Sequence, residues 1–122
     1  MPVNNNARAY VAYNRVVEGS ASKVGYIEVA NAQHFDAFIP FSGFDTRFVP
    51  LHVYYIRAMD AMYAHLQRGT PLPPSQLVRG TPRGGIPGAA PAIAAANVPP
   101  INAAPLVADQ IGFAGTSVNV PN

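Results

Sequence analysis

Cysteine is absent from this 122-residue chain. That absence excludes disulfides, a thiol nucleophile and cysteine-ligated zinc, and it leaves the redox compartment open. Lysine occurs once, as Lys23, and Arg8, Arg15, Arg47, Arg57, Arg68, Arg79 and Arg83 stand far apart, so the formal net charge of +2 is spread thinly. Phosphate backbones are held by clustered Lys and Arg, so nucleic acid is not an expected partner. No apolar stretch approaches the roughly 18–20 residues that cross a bilayer, and no membrane span is expected. The opening MPVNNNARAY lacks the charged-then-apolar order of a secretory signal. No cofactor is expected either.

What is present is unevenly distributed. Ten of the 13 prolines fall at or after Pro71, and past Arg83 the one charged side chain is Asp109. This predicts a compact segment over residues 1–69 and an extended Pro/Ala/Gly-rich tail over 70–122, with the change near Gly69–Pro74. In the first part, Asn4–Asn6 offer helix caps. Ala7, Tyr10, Asn14 and Val17 follow at helical spacing, flanked by Val11 and Tyr13, until Gly19. A helix over Ala7–Glu18 is predicted. After a turn at Ser20–Ser22, Val24–Val29 reads as a strand. Glu28 is its one charge, as in a strand buried on most of both sides in a parallel sheet. A polar loop, Ala30–Asp36, comes next, then an irregular stretch from Pro40 to Pro50. Leu51, Tyr55, Met59, Met62 and Leu66 then mark one face of a second helix, with Arg57, Asp60 and Gln67 opposite and Arg68-Gly69 at its end. In the tail, Pro71–Pro74 should be extended and Gly84–Pro105 carries no charge. Residues 111–120 allow a small hairpin about Ala114-Gly115-Thr116.

The order helix, strand, polar loop, helix resembles the C-terminal end of an α/β-hydrolase, where the triad histidine sits on the loop after the last core strand. Side chains at the carboxyl edge of a parallel sheet converge on one crevice. His34 occupies that loop, and an imidazole there relays a proton between nucleophile and leaving group. A lone loop histidine is more often a surface residue, so spacing alone does not decide the matter. Ser20, Ser22, Ser42, Ser75 and Ser117 all lack the Gly-x-Ser-x-Gly frame of a nucleophile elbow and read as turn or loop serines. Asp36 is a candidate to pair with an arginine or to cap the following turn. Asp45 and Arg47 are spaced for a local ion pair. His52 and His65 lie thirteen residues apart, unlike the i, i+4 pair of a metal helix. They are read as a helix-start residue and a partly buried polar residue. No metal site is expected. The Tyr54, Tyr55, Met59, Met62 and Tyr63 group is read as core, part of it facing strands that this chain does not contain. That would leave an exposed patch prone to self-association.

The runs VEGSASKVGYIEVANAQHFDAF, GFDTRFVPLHVYYIRAMDAMYAHL, LPPSQLVRGTPRGGIPGAAPAI and ANVPPI resemble the C-terminal region of the bacterial D-(-)-3-hydroxybutyrate oligomer hydrolases, over nearly the whole chain. The resemblance implies a serine esterase acting on 3-hydroxybutyrate dimers and oligomers in polyhydroxybutyrate degradation. It implies the α/β-hydrolase fold, with His34 in Asn31-Ala32-Gln33-His34-Phe35-Asp36 as triad histidine. Its partner would be a small-molecule ester, and its setting extracellular or periplasmic, with an intracellular enzyme as the alternative. Met1-Pro2-Val3 resembles the end of the family fold's acid loop, cut just after the aspartate. The nucleophile and the acid are therefore expected outside this chain, which alone should be inactive and not independently stable. Two other readings stand beside this one. The first is a stand-alone interaction module binding through its Pro-rich tail at Pro71-Leu72-Pro73-Pro74. The second is a piece of a tannase- or feruloyl-esterase-like enzyme.

Overall fold

A computed structural model describes residues 6–122. Met1-Pro2-Val3 and the caps Asn4 and Asn5 lie outside the described residues. Among the described residues there are two α-helices, α1 (Ala7–Glu18) and α2 (His52–Arg68). Six short strands accompany them: β1 (Ile27–Val29), β2 (Ala32–Gln33), β3 (Val49–Pro50), β4 (Gln76–Val78), β5 (Gly112–Ala114) and β6 (Ser117–Asn119). It divides into two compact units, each made of separated stretches. One comprises the chain up to Ile27, Pro74–Leu77 and Ala104–Asn122; the other comprises Glu28–Pro73 and Val78–Ala103. Stretches of the Pro-rich part belong to both units.

In the first unit α1 has the predicted bounds and ends at Gly19, whose φ of +57° is the left-handed conformation that favours glycine. Asn6 occupies the cap position without a side-chain hydrogen bond. The buried side of α1 differs from the predicted stripe. Val11 and Ala12 are buried, whereas Tyr10, Tyr13 and Val17 are exposed. Val11, Tyr26 and Ile111 form the core of this unit, with Val24, Phe113, Val118 and Val120 packed against it. Phe113, Val118 and Val120 come from the predicted hairpin. Its strands pair antiparallel, Phe113 opposite Val118, and Gly115 takes a φ of +55° at the turn. The Arg15 guanidinium lies 4.4 Å from the centre of the Phe113 ring.

The strand expected over Val24–Val29 is shorter, and β1 is half-buried rather than buried on both sides. It is not alone. It pairs with β4, which is buried throughout and comes from the stretch expected to be merely extended. The Gln76 N–H donates to Tyr26 O at 3.0 Å and Ala30 N–H to Val78 O at 2.9 Å. The two strands ascend together and are therefore parallel.

Within the second unit, β2 runs parallel to β3, pairing Ala32 with Val49 and Gln33 with Pro50. The Pro-rich chain here has few N–H donors and many carbonyls, so it cannot build ladders of its own. Side chains supply the missing donors. The Arg57 guanidinium donates to the carbonyls of Val98 at 2.9 Å and Pro99 at 2.7 Å. Arg83 donates to the Asp45 carbonyl at 2.8 Å and to that of Pro91 at 3.0 Å. Arg57 was expected on the outer, polar side of α2. It instead lies on the inner side with Tyr54, which is 3 % exposed. The stripe predicted to be core faces outward, with Tyr55 61 % and Leu66 74 % exposed.

Candidate active site

Asn31 begins the site. Its φ of +59° places it in the left-handed region, which asparagine tolerates better than most residues. Three interactions hold it there. Its Nδ2 donates to Gly80 O at 2.9 Å, its carbonyl accepts the Val49 N–H at 2.8 Å, and Ala30 N–H is taken by Val78. Gly80 permits this close approach. A Cβ there would lie 2.6 Å from Ala30 O and 2.9 Å from Val49 Cγ2. The turn directs the chain into β2, and His34 follows at the carboxyl end of that strand.

The His34 side chain is exposed, and its imidazole meets the Phe35 ring edge-to-face at a centroid distance of 4.6 Å and 73°. Asp36 does not pair with an arginine. Its Oδ1 accepts the Leu51 N–H at 2.8 Å and its Oδ2 the His52 N–H at 3.0 Å. Leu51 at the cap position has no side-chain acceptor to offer, so Asp36 caps α2 from fifteen residues away. A carboxylate at this end is also favoured by the helix dipole. Both oxygens are engaged there, and the loop bearing His34 is tied to the start of α2.

From Phe35 into the stretch predicted to be irregular, Pro40–Pro50, the chain makes a succession of tight turns before β3. Phe38 N–H donates to Phe35 O, Phe41 N–H to Phe38 O and Phe44 N–H to Phe41 O, at 2.9 to 3.0 Å. Three residues per turn brings i and i+3 side chains above one another. Phe35 and Phe38 lie 5.7 Å apart, Phe38 and Phe41 6.0 Å, Phe38 and Phe44 6.0 Å, and Phe44 and Phe48 5.4 Å. This ladder of phenylalanines was not anticipated, although the spacing FDAFIPFSGF carries it in plain view.

The local Asp45–Arg47 ion pair does not form. The buried Asp45 carboxylate accepts the N–H groups of Gly43 at 2.9 Å, Gly88 at 2.8 Å and Ala90 at 3.3 Å. Burial alone would raise its pKa, but the backbone donors of Ala90, Gly88, Gly43 and Thr46 together hold it below the ordinary carboxylate range. Arg47 is exposed, donates from Nε to the Gly43 carbonyl at 2.6 Å, and lies 5.9 and 5.6 Å from the Phe44 and Phe48 ring centres.

The other histidines lie apart from this arrangement. His52 opens α2 and stacks on Tyr55 at 5.9 Å, and His65, exposed rather than partly buried, donates from Nδ1 to Thr70 O at 2.9 Å. Burial pushes the Tyr54 phenol above its ordinary pKa, partly offset by Arg57. Of the serines weighed as nucleophiles, Ser22 bonds Asn14 Oδ1 and Ser75 Oγ accepts the Tyr26 N–H at 3.0 Å. Among the described residues, no three His, Cys, Asp or Glu side chains cluster as metal ligands. No helix among them is long and apolar enough to cross a membrane.

The proteins similar to this chain over its whole length carry the names of hydrolases. The chain belongs to the 3HB-oligomer hydrolase family, whose model matches residues 1–122. Over all of this chain it is 58 % identical to a D-(-)-3-hydroxybutyrate oligomer hydrolase of Paracidovorax citrulli, of which it covers 18 %. The protein of the same name from Azoarcus sp. is 56 % identical and covered to 18 %, that from Paraburkholderia xenovorans 53 % and 17 %. In each case the whole of this chain is matched, so the chain spans less than a fifth of the length of these curated relatives. No solved structure matches it.

Proposed function

We propose that this chain is the C-terminal part of a serine esterase of the α/β-hydrolase type that hydrolyses 3-hydroxybutyrate oligomers, with His34 as its general base and acid. The observation that carries the reading is the placement of an exposed imidazole at the carboxyl end of a strand paired in parallel, on a loop anchored at Asn31 and Asp36. In the reaction a serine hydroxyl from outside this chain attacks the ester carbonyl while His34 takes its proton. Collapse of the tetrahedral intermediate breaks the C–O bond, and His34 returns the proton to the departing alcohol. Water then attacks the acyl-serine by the same route, releasing the acid and restoring the serine.

A carboxylate that fixes the imidazole tautomer must also come from elsewhere, because both Asp36 oxygens serve the start of α2. The chain alone then has neither nucleophile nor orienting acid, and turnover by it is expected to be absent. In the full-length polypeptide that carries this chain, His34→Ala should lower kcat/KM for the hydroxybutyrate dimer by at least about 10³-fold. Near-ordinary turnover by that variant would end this assignment.

A further inference from the structure

The phenylalanine ladder begins at His34 and ends at a cation. Phe35, Phe38 and Phe41 are exposed and Phe44 is half-buried; Phe35 meets Phe38 at 5.7 Å, Phe38 meets both Phe41 and Phe44 at 6.0 Å, and Arg47 stands over Phe44 and Phe48 at the far end. A hydroxybutyrate oligomer has the matching chemistry: methyl-bearing ester units of low polarity and one terminal carboxylate. Apolar units lie against aromatic faces and edges, and guanidinium recognises carboxylate through paired N–H donors. Arg47 is anchored through Nε to Gly43 O, and no acid neutralises it locally, since Asp45 turns to backbone N–H groups. The Asp36 carboxylate, which would repel an acidic chain, is likewise engaged at α2.

We infer that the strip from Phe35 to Phe44 is the track on which the oligomer lies, with Arg47 holding its terminal carboxylate and the scissile ester presented to His34. The inference rests on the assignment of His34 above and adds a direction: the chain is read from its acid end. The strip and Arg47 then select for free-acid oligomers over shorter or capped esters.

The test uses the full-length polypeptide with three substrates: the hydroxybutyrate trimer as free acid, the same trimer as methyl ester, and a short acetyl ester. For Arg47→Gln the ratio of kcat/KM for the acid trimer to that for its methyl ester should fall about tenfold, as loss of one charge-assisted pair implies. Arg47→Lys should recover part of that ratio. For Phe38→Leu and Phe38→Ala the ratio of kcat/KM for the trimer to that for the acetyl ester should fall, through KM. Unchanged ratios in these variants, as when the strip is covered by the rest of the polypeptide, overturn the proposal. A parallel His34→Ala variant separates the two readings. Loss of all three activities there, with unchanged ratios in the others, removes the track and leaves the histidine assignment standing. Retained activity in His34→Ala removes the assignment itself.

Discussion

Asp36 illustrates how one carboxylate can do structural service beside an exposed histidine. It accepts two of the free N–H groups at the start of α2, and an acceptor in that position contributes about 1 kcal/mol. Asp36→Ala should therefore lower stability by about that amount in a denaturation experiment, and an unchanged midpoint would deny it the capping role. Asp45 acts on the second unit by similar means. Its folded pKa lies below the ordinary value, so the stabilisation is present above the usual carboxylate range near 3.9 and is lost as the pH falls through the folded value. Thermal unfolding followed through the acid range should thus show a drop that is blunted in Asp45→Asn; matching curves would contradict the sign. Gly80 is held by sterics. With Ala30 O at 2.6 Å from its would-be Cβ, Gly80→Ala is expected to cost about 1–3 kcal/mol, readable as a shifted denaturation midpoint.

The helices raise the question of which side of an amphipathic element faces the protein. In α2 the inner side carries Tyr54 and Arg57, and the outer side carries Tyr55, Ile56, Met59, Met62, Tyr63 and Leu66. Truncation should report this directly. Tyr54→Ala is expected to cost about 3–5 kcal/mol, while Tyr55→Ala and Leu66→Ala should stay within about 0.5 kcal/mol in this chain. Equal costs on both sides would mean that the helix is rotated from the orientation described. Strand β4 is the converse case. It lies between Pro73-Pro74 and Gly80, yet its three residues are wholly buried because proline removes donors only where it stands. Gln76, Leu77 and Val78 keep theirs.

At the scale of the whole molecule, both helices leave apolar residues in water: Tyr10, Tyr13 and Val17 on α1, and the Tyr55–Leu66 stripe on α2. Isolated exposed apolar residues are ordinary, but rows along helix faces mark surfaces that another body covers. The chain spans 18 % of the length of its Paracidovorax citrulli relative. Purified by itself, the chain should self-associate in a concentration-dependent way in sedimentation velocity runs. Met59→Lys with Leu66→Lys should reduce that association, and a strict monomer before substitution would speak against the exposed stripe as its cause.

Local signals were legible in the sequence wherever a neighbour along the chain decides the outcome. The bounds of α1, the Gly69 end of α2 and the 111–120 hairpin depend on turns, glycines and periodicity within a few residues, whereas strand β2 inside the expected loop around His34 needed the distant partner β3. The family was legible for the same reason, being written in consecutive words. The side of each helix that is buried depended on the tertiary structure, because periodicity finds an apolar stripe without saying whether this chain or other sequence covers it. So did the partners of Asp36 and, apart from the neighbouring Gly43, of Asp45, since a carboxylate takes whatever N–H groups folding delivers, here from 15 to 45 residues away. The same holds for part of the Pro-rich stretch, where the Arg57 guanidinium reaches the Val98 and Pro99 carbonyls from 41 and 42 residues away.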